Sequence, residues 1–365
     1  MYRNPDLNTR LSHAEALPAA AGIPGVNMGT GFTRRSVIGS SLGLGAAVAL
    51  SRTGLAQDAS PEAGGEWSFT DDKGVTITLP SRPERLVIDV NAAAPLWDFG
   101  IRPDAVFGWL ANPSGDFGAA GGRIDASQVE IIGNGEETID VEALVGLNAD
   151  LLITLTFAPD DPNEYWSLAA DGPLEQVRQV VPILAISGVI PDDETTNRYA
   201  ELAEALGADL STPEIDADFE RWQAAEEEFK AVLAEKPGIS AVYIAPSPDM
   251  YYVANPAVAG DVSYARALGL TIPDVTIDPA NGDYWEYLSP EEIGKYQTDI
   301  LFVSYRADLS IEEFTAIPTV AALPAVKAGQ VFEWNQDSIA SYRGQADGVE
   351  SLIANVSASE IVTGD

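Results

Sequence analysis

Residues 212–238 read TPEIDADFERWQAAEEEFKAVLAEKPG. Thr212-Pro213-Glu214 is a helix start and Lys236-Pro237-Gly238 a helix stop. Between them Phe219, Trp222, Ala225, Phe229 and Leu233 recur at three- and four-residue spacing and form one apolar face. A helix over 213–235 follows, about 30 Å long at roughly 1.5 Å per residue. Thr195–Leu206 reads as a helix ahead of it. The chain on one side of this helical region resembles the chain on the other, and that likeness decides the fold.

Ahead of it, Trp67–Thr70 and Val75–Leu79 alternate around Asp71-Asp72-Lys73-Gly74 and predict a hairpin. Strands are expected at Arg85–Asp89, Ala105–Trp109, Leu151–Leu155 and Pro182–Ile186. Helices are expected at 92–99, at Thr138–Leu147 with Thr138 as cap, and at 173–179. Beyond it, strands are expected at Ser240–Ala245, Met250–Val253, Ile300–Ser304 and Gly329–Trp334. Helices are expected at Asp261–Leu268, Pro290–Tyr296, Thr319–Val326 and 344–356. Continuous apolar runs such as Leu151–Leu155 are typical of buried parallel strands, and their alternation with helices predicts helix-flanked sheets. Ile139-Asp140-Val141-Glu142-Ala143-Leu144, followed by Asp150-Leu151-Leu152-Ile153, is echoed by Leu288-Ser289-Pro290-Glu291-Glu292-Ile293, followed by Asp299-Ile300-Leu301-Phe302. The predicted architecture is two α/β lobes, each with a central mainly parallel sheet, bridged by one long helix. The lobes are expected at 67–194 and 239–360, with a helical region at 195–238 between them. Ligand sites favour the cleft in such an arrangement.

Residues 1–56 read as an export signal. Arg34-Arg35 precedes a weakly apolar run, Val37–Leu50, which is too short and too rich in glycine for a membrane span. Small residues at Gly54 and Ala56 mark a cut after Ala56. The adjacent arginines resemble a twin-arginine signal, the route of proteins exported folded. Met28 opens a leader of ordinary length, so Met1 and Met28 both stand as starts. Residues 57–66 are expected to be a flexible lead-in.

The chain of 365 residues carries 20 Lys+Arg against 56 Asp+Glu, a net of -36, which excludes a nucleic-acid binder. There is no cysteine, which excludes disulfides, thiolate metal sites and a lipidated N-terminal cysteine. The one histidine, His13, lies in the leader, so the mature chain has no imidazole base or metal ligand. Serine-type catalysis thereby loses its usual base. A carboxylate pair of the glycosidase kind remains formally open, but the long central helix argues against the barrel that usually holds one. No phosphate-binding glycine motif opens a helix.

Together these segments resemble the substrate-binding proteins of ABC importers for ferric siderophores, haem and cobalamin. The likeness is carried by Thr76–Leu79-Pro80 with Arg82-Pro83-Glu84-Arg85-Leu86-Val87, by Glu142 to Ile153, and by Leu323-Pro324-Ala325-Val326-Lys327-Ala328-Gly329-Gln330-Val331. It spans about 67–356. It implies capture without chemistry, an iron-siderophore as ligand (haem or cobalamin as the alternative) and no cofactor. It also implies an ABC permease as partner, and a monomer in the periplasm or outside the cell envelope that meets the membrane only through that permease. One glutamate on each lobe would dock on the permease: Glu142, and Glu291 with Glu292 as its alternative. Helix starts favour acids in any case.

Ligand contacts are expected on loops after strands. Asn91, Trp97, Trp109, Trp166, Tyr252, Trp285, Tyr305, Arg306, Trp334 and Arg343 are the candidates. Aromatic rings offer flat apolar walls, and arginine pairs with anionic oxygens. In a chain this acidic an anionic ligand would need Arg306 and Arg343. Trp97, Tyr252 and Trp334 serve equally well as core fillers.

Overall fold

The computed structural model describes residues 65–133, 138–170 and 172–364. The signal residues Arg34, Arg35 and Ala56 lie outside them.

Strands β1 (Trp67–Thr70) and β2 (Thr76–Leu79) form an antiparallel hairpin. Five parallel strands build the first sheet: β3 (Leu86–Asp89), β4 (Ala105–Phe107), β5 (Glu130–Ile131), β6 (Leu151–Thr156) and β7 (Ile183–Ser187), ordered β5-β4-β3-β6-β7. Helices α1 (Val90–Asp98), α2 (Val141–Leu147) and α3 (Leu174–Arg178) connect them. After α4 (Asp192–Ala205) and α5 (Pro213–Glu235) comes a second sheet. It holds β8 (Ala241–Pro246), β9 (Tyr251–Ala254), β10 (Trp285–Leu288), β11 (Ile300–Ser304) and β12 (Val331–Trp334), ordered β10-β9-β8-β11-β12. Its helices are α6 (Gly260–Ala267), α7 (Ile311–Thr315), α8 (Pro318–Ala321), α9 (Pro324–Ala328) and α10 (Tyr342–Ser357).

Numbered by appearance, both sheets run third-second-first-fourth-fifth. They differ at the second strand: β4 is parallel to its neighbours, whereas β9 is antiparallel to β8 and β10. β3, β8 and β11 are buried along their whole length, as parallel strands covered on both faces must be. The echo in the sequence has a structural cause. Asp150 Oδ2 accepts from the backbone N–H of Glu84 and Arg85, just before β3. Asp299 Oδ2 accepts from Ser240 N, just before β8. In each lobe an aspartate ahead of the fourth strand fastens the start of the first.

Helix α5 is the bridge. Thr212 caps it, with its side chain accepting from Ile215 N. Ile215 packs in the first lobe's core, while Trp222, Ala225, Phe229 and Leu233 pack in the second's. Helix α10 lies against it, and Arg221 clamps the pair through Asp347 and Glu350.

Four expectations need correction. Thr138 is not the cap of α2; it donates to Ser167 O, and Asp140 caps the helix by accepting from Ala143 N. The helix expected over Thr319–Val326 divides into α8 and α9, because Leu323 precedes a proline and is extended. Helix α4 begins at Asp192 rather than Thr195. Strands β5 and β10 and helix α7 are additions; β10 carries a buried acid, Glu286, which Lys295 and Tyr296 engage.

Candidate functional site

Parallel strands of the two sheets end toward each other. β3 ends in Asp89, whose carboxylate caps α1 by accepting from Asn91 N at 2.9 Å. Asp89 is fully buried and accepts from Ser167 Oγ at 2.6 Å. Two backbone features make room for it. Gly108 has φ +118, and a Cβ there would stand 2.2 Å from Asp89 Oδ2. Ser167 adopts φ 64, a conformation otherwise confined, among the described non-glycine residues, to Asn148. Strain of this kind gathers at functional sites.

From the second lobe come the segments after β11 and β12. Tyr305 OH donates to Asp337, and Arg306 Nη2 lies 3.0 Å from Asp337 Oδ1. That approach is an ion pair; the same buried nitrogen makes no hydrogen bond of good geometry. Across the lobes Asn91 Nδ2 donates to Asp337 Oδ1 at 3.3 Å. Asp337 is 3% exposed and Arg306 15%. A second polar contact crosses nearby, from Ser338 Oγ to Asp192 at 2.6 Å. Asp261, at the start of α6, accepts from Trp334 Nε1.

Burial sets the electrostatics here. It pushes the Asp89 carboxyl up to about 7, against the hydrogen bonds from Ser167 and Asn91 N, and Asp337 adds to the rise. Burial also raises Asp192 and Asp261, and the charge of Asp192 raises Asp261 further. For Arg306 burial opposes the charge, but Asp337 and Tyr305 outweigh it and hold the guanidinium above its ordinary value. The cleft thus gathers four carboxyl groups and one guanidinium, with Asp337 paired to Arg306 and Asp89 within reach of its charge.

Rings continue the wall. Trp166 meets Phe157 at 5.1 Å between centroids, and Phe157 meets Tyr284 of the other lobe at 6.2 Å. Tyr284 packs on Trp285 at 4.8 Å, and Trp285 reaches Trp334 at 6.0 Å and Tyr252 at 6.2 Å. The result is a band of aromatic surface from lobe to lobe, suited to a flat or bulky apolar ligand.

Of the expected contacts, the structure gathers Asn91, Tyr305 and Arg306 at Asp337, and Trp166, Trp285, Trp334 and Tyr252 along the aromatic band. Trp334 is 4% exposed and lies more in the core than in the cleft. Trp109 N lies beside Ser167 Oγ, at the first lobe's strand ends. Two candidates are placed elsewhere. Trp97 is buried at the far end of α1 under the Arg102 guanidinium, 4.0 Å from its ring. Arg343 joins α10 to Asp218 and Glu214 of α5, so its charge serves the bridge. Asp89, Ser167, Asp337, Asp192 and Asp261 were not among the expected residues. A polar residue closing a buried strand was the available signal for Asp89; Asp337 had none.

Glu142 and Glu291 are both exposed and sit on matching rims. Thr138 O accepts from Gly108 N just past β4, which places the start of α2 at the strand-end face. In the second lobe Leu288 pairs with Tyr251, which pairs with Pro246 at the end of β8, so the turn carrying Glu291 starts at the corresponding face. Among the described residues no cluster of three or more His, Cys, Asp or Glu side chains is arranged to hold a metal ion, and no helix is long and apolar enough to cross a membrane.

The family profile described as periplasmic binding protein matches residues 123–338, over half of the chain. None of the curated proteins compared matches it. Among solved structures, the ferric-siderophore receptor DesE of Streptomyces coelicolor is 31% identical with a TM-score of 0.73, covering 81% of this chain and 99% of its own. The catecholate-siderophore binding protein VctP of Vibrio cholerae is 18% identical, with a TM-score of 0.56 over 80% of this chain and 100% of its own. A periplasmic solute binding protein of Mycobacterium smegmatis is 17% identical, with a TM-score of 0.56 over 82% and 99%. With its two like-ordered sheets, its bridging helix and a cleft between strand ends, this chain belongs to the periplasmic binding protein family.

Proposed function

We propose that the protein captures a ferric siderophore in the interlobe cleft and hands it to an ABC importer, without chemical change. The observation that carries this reading is the aromatic band across the lobes beside Arg306 and Asp337, in a chain 31% identical to a protein described as a ferric-siderophore receptor. Asn91, Trp109, Trp166, Tyr252, Trp285, Tyr305 and Arg306 are the contacts we assign to the ligand, with Phe157 and Tyr284 in the same wall. Glu142 and Glu291 dock on the permease from the two rims. The protein leaves the cytoplasm by the twin-arginine route through Arg34-Arg35, is cut after Ala56, and works as a monomer without a lipid anchor.

Charge narrows the ligand. Arg306 is already paired with Asp337, and Arg343 is occupied on the bridge. The expectation of a strongly anionic ligand loses both of its cations. With Arg306 offset by Asp337 and burial holding Asp89, Asp192 and Asp261 toward their protonated forms, the cleft offers no net positive charge, which favours a chelate without negative charge, such as a ferric trishydroxamate, over a ferric tris-catecholate with its triple negative charge.

The test is tryptophan quenching by a panel: an amine-bearing ferric trishydroxamate, a ferric tris-catecholate, ferric citrate, haem and cobalamin. Saturable quenching at sub-micromolar trishydroxamate, weak with the iron-free form, is expected. Tight binding of haem or cobalamin alone would overturn the siderophore assignment.

A further inference from the structure

Lys73 stands at the tip of the β1–β2 hairpin, and one loop of the first lobe closes around its ammonium. Nζ lies 3.2 Å from Thr156 Oγ1, 3.2 Å from Ala158 O, 2.7 Å from Asp161 O and 3.0 Å from Glu164 O. These are four oxygens for three N–H groups, three of them backbone carbonyls turned on one point. Such a shell suits a bare cation as well as it suits a lysine. The ammonium also faces the Tyr165 ring at 4.9 Å. Burial lowers its pKa, and the charges of Glu164, Asp161 and Asp71 oppose that.

The loop is organised around a second charge as well. One carboxylate oxygen of Glu164 accepts from Phe157 N and Ala158 N, each at 3.0 Å, and from Thr156 Oγ1. Carbonyls converge on the cation while N–H groups converge on the anion, so residues 156–164 have little freedom left. Phe157 lies within this loop, and Trp166 follows as it returns, with Trp166 N bonded to Leu155 O. These two rings form the first lobe's part of the aromatic wall. The lysine itself comes from a fixed post: Asp71 accepts from Lys73 N and Val75 N, and Asp72 accepts from Ser187 N and pairs with Arg198.

We propose that Lys73 acts as a tethered cation that sets the aromatic wall of the ligand site. It is a positioning residue: it acts on the rings through the shell, whose Thr156 and Ala158 flank Phe157. The proposal rests on the reading that Phe157 and Trp166 meet the ligand.

Lys73→Ala removes the cation and leaves the shell. A free ammonium ion can enter it; tetramethylammonium, which has no N–H and is far broader, cannot. Affinity for an amine-bearing ferric trishydroxamate is measured by tryptophan quenching in either chloride salt at equal ionic strength. In tetramethylammonium the variant should bind at least about tenfold more weakly than the parent; ammonium should restore most of that loss, and the parent should not distinguish the salts. Parent-like affinity of the variant, or a loss that ammonium does not reverse, overturns the proposal. Trp166→Ala tests the underlying reading separately: unchanged affinity there overturns the wall as a ligand contact. The shell is still read without any ligand, because ammonium should raise the unfolding midpoint of Lys73→Ala and leave that of the parent unmoved. A midpoint equally indifferent in both overturns the tethered-cation role.

Discussion

Replacing Asp337 by Asn removes one negative charge from the inner cleft and changes the side chain's shape hardly at all. Asp337 takes the Tyr305 hydroxyl, Asn91 Nδ2 at 3.3 Å and the Arg306 guanidinium at 3.0 Å, and it is 3% exposed. The amide keeps an oxygen for Tyr305 or Asn91, but Arg306 loses its counter-charge. A chelate held between the lobes has its charge several ångströms away. At about 6 Å and an effective dielectric of about 20, two unit charges interact by roughly 3 kcal/mol. Water in an open cleft screens this, and about 1 kcal/mol per unit of ligand charge is a fair working value. A triply anionic chelate should then gain about 3 kcal/mol, on the order of a hundredfold in affinity. A singly cationic chelate should lose about 1 kcal/mol, roughly fivefold. A neutral one should scarcely change. Quenching titrations of parent and Asp337→Asn with chelates of all three charges, at low and high salt, give the slope of binding energy against ligand charge. A zero slope, with every chelate weakened alike, would mean that the variant merely loosens the fold and that the Arg306–Asp337 pair does not face the ligand.

Asp89→Asn tests the buried carboxyl. Its native pKa of about 7 stands above the ordinary 3.8, so the folded state holds the proton more tightly than the unfolded chain. Its stabilising contribution is complete below about pH 4 and is lost as pH rises toward 7, up to about 4 kcal/mol for a shift of about three units. The variant should therefore be more stable than the parent at pH 8 and flatter in stability between pH 4 and 8 by urea unfolding; equal destabilisation at both ends would refute this. For docking, Glu142→Ala and Glu291→Ala should leave chelate affinity unchanged and lower the stimulation of permease ATPase in proteoliposomes about tenfold each. Full stimulation by the double variant would remove the two rims from the docking surface.

How far the sequence was legible depended on where each signal was local. Helix α5 could be read because its cap, its stop and its apolar face lie within one stretch, and that face became the second lobe's core. The duplication could be read because Asp150 and Asp299 perform the same task ahead of equivalent strands. Strand β10 could not, because Glu286 looks like a loop acid until Lys295 and Tyr296 meet it. Thr138 stands where caps stand, yet its hydroxyl donates to Ser167 O, 29 residues away.

The cleft divides along the same line, and the duplication accounts for its position. Aromatic residues near strand ends were visible as candidates, although Tyr252, Trp285 and Trp334 prove to lie within β9, β10 and β12 rather than on the loops expected of them. Asp89 and Asp337 were not, since the bond that joins their neighbourhoods, Asn91 to Asp337, spans 246 residues. Each sheet has its starting edge fastened by an aspartate, Asp150 or Asp299, and its parallel strands release their loops at the opposite edge. Bridging two such lobes with one helix leaves those loop-bearing edges to face each other, which is where open α/β sheets place ligands. Two of the polar groups gathered there have partners in the other lobe, Asp337 through Asn91 and Asp192 through Ser338, so these bonds form only when the lobes are correctly set. That makes Asp192 and Asp337 dependent on lobe geometry in a way that no stretch of local sequence records, whereas Asp89 and Asp261 are held within their own lobes. A ligand that bridges Asn91 and Arg306 draws on that same geometry, and the α5–α10 pair, clamped by Arg221 and Arg343, holds it.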